Sequence, residues 1–242
     1  MLDRNVFALE LPRIDEGSGE LILGGYNESK SQSPITLPLT NVMHGHNNGI
    51  LFLASCGWQV SVSAISLNVS RWQRQPLNIS LNGYTAIISN SVDYISLPWS
   101  IMKQFIQHLG LDERDDLDCA WHTELPNLTV SFGDHGVVVL TPRQYLSQVE
   151  DWNKGTRCVL PFSSMYFNDG EEHETDWIIL GTPFLQSLYS IFDIDNEMIS
   201  CKCLTQLIFA ILSGNALRTL TNLFQWLFGR IDVKGKAQIT FG

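Results

Sequence analysis

The chain has no strongly basic stretch. Its 15 Lys and Arg are outnumbered by 25 Asp and Glu, giving a formal charge of −10, and only 17% of residues are charged at all. That balance argues against nucleic acid and against anionic membranes as partners. A Gly-rich phosphate loop followed by Lys-Ser/Thr is missing too. A membrane-spanning helix needs about 20 predominantly apolar residues. The most apolar region, 204–228, is interrupted by Gln206, Ser213, Asn215, Arg218, Asn222 and Gln225, so a membrane partner is not expected. The chain starts Met1-Leu2-Asp3-Arg4-Asn5, without the charged start and apolar h-region of a secretion signal. Helical stretches of 10–15 residues do not alternate with the strands, which argues against a doubly wound α/β fold.

Cysteine is scarce and odd in number. Cys56, Cys119, Cys158, Cys201 and Cys203 make five, so they cannot all pair within one chain. Zinc-ribbon spacing is absent, and neither metal nor cofactor is expected. His44-Gly45-His46 lies in a Gly/Asn-rich stretch and reads as a solvated loop. The acidic run Asp169–Asp176 reads as a solvated turn, with a cation site as the alternative. Cys201 and Cys203 read as two positions on one face of a strand end, and Trp72–Pro76 as a hairpin tip.

What the sequence does contain is strand pattern. Trp58, Val60 and Val62 alternate with Gln59, Ser61 and Ser63, and Leu128, Val130 and Phe132 alternate with Thr129 and Ser131. Period-two alternation of this kind builds half-buried strands. Gly24-Gly25, Asn82-Gly83, Gly133-Asp134 and Asn168-Asp169-Gly170 read as turns between them. One helix is expected over 98–111, with Ile101, Phe105, Ile106 and Leu109 on one face. The fold class is all-β, with short helices. At 44% hydrophobic content the 242 residues can fill one large core or two small ones.

The segment from Thr85 to Pro98 carries most of the functional information. Apolar Ile87-Ile88 runs into small polar Ser89-Asn90-Ser91, then Val92, and an apolar segment ends in Leu97-Pro98. Further along stand Gly19-Glu20-Leu21-Ile22-Leu23-Gly24-Gly25, Leu125-Pro126 before a strand, and Trp177-Ile178-Ile179-Leu180-Gly181-Thr182-Pro183-Phe184-Leu185. Tyr189-Ser190-Ile191-Phe192-Asp193-Ile194-Asp195-Asn196 closes the series.

Taken in this order, these segments resemble the C-terminal lobe of the pepsin-like aspartic proteases over roughly residues 5–202. The resemblance implies one lobe over 1–203 and an apolar extension over 204–242, whose stripe of Ile208, Ile211, Leu212, Leu217, Leu220, Phe224 and Leu227 reads as helical. It implies a family activity of peptide-bond hydrolysis by a water held between two carboxylates that share a proton. The N-terminal lobe, with the other carboxylate, has no counterpart in this chain.

The resemblance also places the family's active-site Asp on Ser89, and its Thr-Gly-Thr on Asn90, Ser91 and Val92. A serine does not ionise near working pH, so the catalytic set is expected to be broken and the chain inactive by itself. Two copies would bring two serines together. Asp93 lies four residues on and would need a register shift. Glycine at position 91 would have allowed a tight turn, so its loss puts the loop geometry in question.

Three further expectations follow from the family. Cys119 and Cys158 sit where the lobe carries a disulfide. The protein would travel to a secreted, vacuolar or lysosomal destination, which suits the sequons at Asn27, Asn68, Asn78 and Asn127. Its partner would be a peptide or protein segment in the cleft. The strand at Val6–Pro12 would also present an edge for a second lobe, a second copy or the extension to cover. Whether the chain is a degenerate half, a piece of a longer precursor or a scaffold is left open by its residues.

Overall fold

The computed structural model describes residues 4–13, 17–40, 58–70, 74–111, 119–120, 124–151, 155–164, 175–203 and 237–241. Fifteen strands are found among them. In chain order they begin β1 (Val6–Glu10), β2 (Gly19–Leu23), β3 (Ile35–Pro38), β4 (Gln59–Leu67), β5 (Leu77–Ile88), β6 (Ile95–Leu97), β7 (Leu128–Ser131) and β8 (Val137–Leu140). They continue with β9 (Ser147–Asp151), β10 (Gly155–Val159), β11 (Phe162–Ser164), β12 (Trp177–Leu180), β13 (Leu188–Asp193), β14 (Met198–Cys203) and β15 (Ala237–Phe241). Helix α1 (Trp99–Leu109) is followed by two single-turn helices, α2 (Pro142–Tyr145) and α3 (Thr182–Leu185).

The strands form a seven-stranded sheet in the order β11-β6-β12-β5-β4-β7-β8 and a six-stranded sheet in the order β15-β2-β1-β13-β14-β3. A small ribbon, β9-β10, completes the set. The all-β class expected from the strand pattern is what the chain adopts.

The alternation in β4 works as its sequence implies, with one local exception. Val60 and Val62 are buried and Ser61 is exposed, but Gln59 is buried as well. The register to β5 then slips between Val62 and Ala64. Asn82-Gly83 is therefore not a turn: β5 runs on through it, and the extra residues opposite Ser63 form a bulge with Gly83 at φ +87°. Glycine accepts that backbone without a Cβ penalty. The hairpin turn lies further out, in the 68–76 connection that holds Trp72–Pro76, of which residues 71–73 lie outside the described set.

The two large sheets pack through aromatic rings. Phe7 of β1 stacks on Phe192 of β13 at 4.6 Å, and the indole of Trp58 meets both edge-on at 5.7 and 4.8 Å. Such contacts add about 1 kcal/mol each beyond their buried area. Helix α1 closes the core against β5 and β11. Its Ile101, Met102, Phe105 and Leu109 are buried, Ile106 is only half-buried, and Phe105 meets Phe162 at 5.4 Å. Gly110, at φ +67°, ends the helix by donating its N–H to Ile106 O.

The six-stranded sheet corrects two expectations. Strand β1 is not an edge, because it lies between β2 and β13. The extension is also not helical throughout, because residues 237–241 form β15, hydrogen-bonded to β2. Ala237-Gln238-Ile239-Thr240-Phe241 carries β-branched and aromatic residues at strand-like spacing, and a free edge on β2 offers it backbone partners. The helical stripe read over 204–228 lies outside the described residues.

Candidate active-site loop

Strand β5 ends at Ile88, and the chain then leaves the sheet and returns as β6 on the far side of β12. The two strands flank β12, which runs parallel to β5 and antiparallel to β6. Residues 89–94 must therefore cross the end of β12. Ser89 N–H donates to Leu180 O at 3.2 Å, and Thr182 N–H donates to Val92 O at 2.7 Å. The crossing is so close that a Cβ on Gly181 would stand 2.2 Å from both Val92 O and Tyr94 O. Only glycine fits, which gives Leu180-Gly181 a steric reason that the sequence motif alone did not supply.

Beneath the loop, alternate residues of β5 and β12 divide between two faces. Ala86, Ile88, Ile178 and Leu180 enter the main core. Ile87, Trp177 and Ile179 form a separate buried group, against which Val92 packs. Val92 thereby anchors the loop from its second face.

All four expected loop residues are thus brought to one place. Ser89 Oγ and Ser91 Oγ are 2.8 Å apart, and Ser91 N–H donates to Ser89 Oγ at 3.3 Å. Asn90 O accepts from Thr182 Oγ1 at 3.4 Å. Ser91 is not among the residues with positive φ, so the turn closes without the glycine that the family pattern has there.

That chemistry is limited to two hydroxyls hydrogen-bonded to each other. Among the described residues, neither has an imidazole or a carboxylate as a hydrogen-bond partner. A serine nucleophile needs an adjacent base to take its proton, and an acid-base dyad needs two carboxyl groups. Asp93 is exposed and faces elsewhere. It lines a cavity of about 330 Å³ with Tyr94, Thr182 and Gln186, and neither Ser89 nor Ser91 borders that cavity.

Arg13 borders the same cavity, and no motif in the chain points to it. It is buried, and its guanidinium donates to Gln144 O at 2.7 Å and Leu146 O at 3.0 Å. These are carbonyls at the C-terminal end of α2 that lack intrahelical partners, and the guanidinium satisfies them. Tyr145 of α2 donates to Pro126 O at 2.9 Å, and burial holds its phenol far above the usual range.

Cys119 and Cys158 are disulfide-bonded, with Cα atoms 4.9 Å apart. Cys201 is a free, buried thiol beside Ser190, and burial pushes its pKa up to about 12. Of the sequons, Asn68 and Asn78 are exposed. Asn27 is half-buried and its Oδ1 accepts from Ser29 N–H and Oγ, while Asn127 is half-buried with its carbonyl held by Asn68 N–H. His44, His46, Cys56 and residues 169–174 of the acidic run lie outside the described residues. Among those described, no group of three metal-binding side chains occurs, and no helix is long and apolar enough to cross a membrane.

The chain is similar in sequence to known aspartic proteases. A cathepsin D of Dictyostelium discoideum is 32% identical over 205 residues, covering 82% of this chain and 47% of that protein. A vacuolar aspartic protease of Candida albicans is 28% identical over 191 residues, covering 76% and 39%. A gastricsin of Cavia porcellus is 26% identical over 208 residues, covering 82% and 45%. The chain therefore spans less than half the length of these curated relatives. The eukaryotic aspartyl protease family model matches residues 1–202, and the chain belongs to that family.

Proposed function

We propose that this chain is a non-hydrolysing member of its family, a pepsin-like lobe that binds an extended peptide or protein segment without cutting it. The observation that carries this reading is Ser89. It stands at the end of β5, in the crossing loop, with Ser91 Oγ as its neighbour. Hydrolysis in this family rests on a pair of carboxyl groups, one acting as acid and the other as base. A hydroxyl pair holds neither role at acidic or neutral pH.

The test is binding without turnover. A fluorescent extended peptide mixed with the purified chain should give saturable anisotropy, and mass spectrometry should recover the peptide intact. No binding across a diverse peptide set would contradict the proposal, and so would cleaved peptide.

The length comparison favours a second reading. Because the curated relatives are more than twice as long as the matched region, the chain could act as one lobe of a two-lobed assembly. The dyad would still hold at most one carboxyl group. An upstream reading frame encoding apolar-Asp-Thr-Gly-Ser would favour this second reading, and its absence would disfavour it.

A secretory or vacuolar route is part of the same proposal. Relatives named as vacuolar proteases and the exposed sequons at Asn68 and Asn78 support it. Glycosidase treatment of material from a eukaryotic host should shift its mobility, and Asn68→Gln with Asn78→Gln should abolish most of that shift.

A further inference from the structure

The six-stranded sheet is completed by a segment from outside the family region. The family match ends at residue 202, and β15 begins at Ala237. In the sheet, β13, β1 and β2 lie between β14 and β15. There β15 pairs with all five residues of β2, from Ala237↔Leu23 to Phe241↔Gly19.

The backbone of β2 is committed on both sides, and the bonds can be assigned. Gly24 N–H donates to Val6 O at 2.8 Å, toward β1. In an antiparallel sheet, successive residues point their N–H and C=O groups to opposite neighbours. Ile22 and Glu20 therefore bond to β1, and Leu21 and Leu23 bond to β15 through their partners Ile239 and Ala237. Without β15, the Leu21 and Leu23 amides would form an open row on the edge of the sheet. An unprotected edge of this kind recruits further strands.

We propose that the outer edge of β2 is a strand-docking site and that residues 237–241 are a latch seated on it in cis. The occupant is an extended antiparallel strand, supplied by the chain's own tail. The tether of 33 residues makes docking intramolecular at about millimolar effective concentration, which favours the closed latch in dilute solution. Displacing the latch exposes a site selective for an extended strand, independently of whether the Ser89 loop binds peptide.

Hydrogen exchange reads this amide by amide. In the full chain, Leu21 and Leu23 should be protected along with Ile22. In a chain truncated after residue 236, Leu21 and Leu23 should exchange about tenfold faster or more, while Ile22, bonded to β1, stays protected and reports that the lobe is folded. A synthetic peptide of residues 234–242 should restore their protection, and a scrambled peptide should not. Acceleration of Leu21 and Leu23 that is instead slowed at high protein concentration, with a dimer in sedimentation, identifies strand uptake from a second copy and also supports the docking site. If truncation exposes Ile22 as well, Ile239→Pro in the full chain carries the test, because proline removes the Ile239 N–H and fits poorly in a paired strand, loosening the latch without altering β2. Leu21 and Leu23 that remain as protected as in the full chain, in either variant, overturn the proposal.

Discussion

Gly181 lies directly under Val92, so close that a single methyl group would stand 2.2 Å from the Val92 carbonyl oxygen. This contact links the best-conforming part of the sequence to its most altered part. The loop carrying Ser89 is held in place by the strand that ends in Leu180-Gly181, through Ser89 N–H to Leu180 O and Thr182 N–H to Val92 O.

Gly181→Ala should therefore damage the loop and the core together. Neither crowding atom is the end of a flexible side chain; both are backbone carbonyls. Overpacking of this kind costs about 3 kcal/mol. Urea unfolding should show a loss of that order, and backbone amide shifts should move at Ser89 to Tyr94. A loss below about 1 kcal/mol, with an unshifted loop, would mean that the crossing is looser than described.

The Cys119–Cys158 bridge closes a stretch with a sequence separation of 39. On the chain-entropy account, its loss costs about 4 kcal/mol. Non-reducing peptide mapping of material from an oxidising host should recover the linked pair. Cys119→Ser with Cys158→Ser should unfold at correspondingly lower urea, and a reductant should bring the native chain to the same midpoint. Free thiols at both positions in such material would contradict the pairing.

Alkaline pH should destabilise the fold through Cys201. Burial raises its thiol from the ordinary 9.0 to about 12, with the neighbouring Ser190 hydroxyl partly opposing the shift. The folded state thus holds this proton more tightly than the unfolded state. The resulting stability is fully present below pH 9.0 and is lost progressively as pH rises toward 12. The urea midpoint should fall through that window, and Cys201→Ala should make the fall shallower. Equal slopes for the two proteins would contradict the assignment.

The lobe was legible in the sequence because its strands alternate and its turns are punctuated, and the family's segments recur in order. Ser89 to Val92 could be placed because Ile87-Ile88 and Leu97-Pro98 frame them. Other features depend on contacts between residues far apart in the chain. Gly181 needs the position of Val92 to explain it, and Arg13 meets carbonyls more than a hundred residues away. Asn82-Gly83 has the local chemistry of a turn, but the pairing of β5 with β4 turned it into a bulge. The tail's final strand is hard to read in the sequence for a similar reason. Five residues at the end of an apolar extension carry weak strand preference alone, and the open edge of β2 decides their conformation.

The proposal at the centre of this account is that Ser89 stands where the family carries a carboxylate and that the chain does not hydrolyse peptides. Its most direct test is an acid cleavage assay of the purified chain on a denatured protein substrate, with and without a transition-state-analogue inhibitor of aspartic proteases. The account predicts no inhibitor-sensitive cleavage anywhere in the acidic range, and none from Ser89→Asp while the chain remains monomeric. Cleavage by the unaltered chain that the inhibitor abolishes would contradict it.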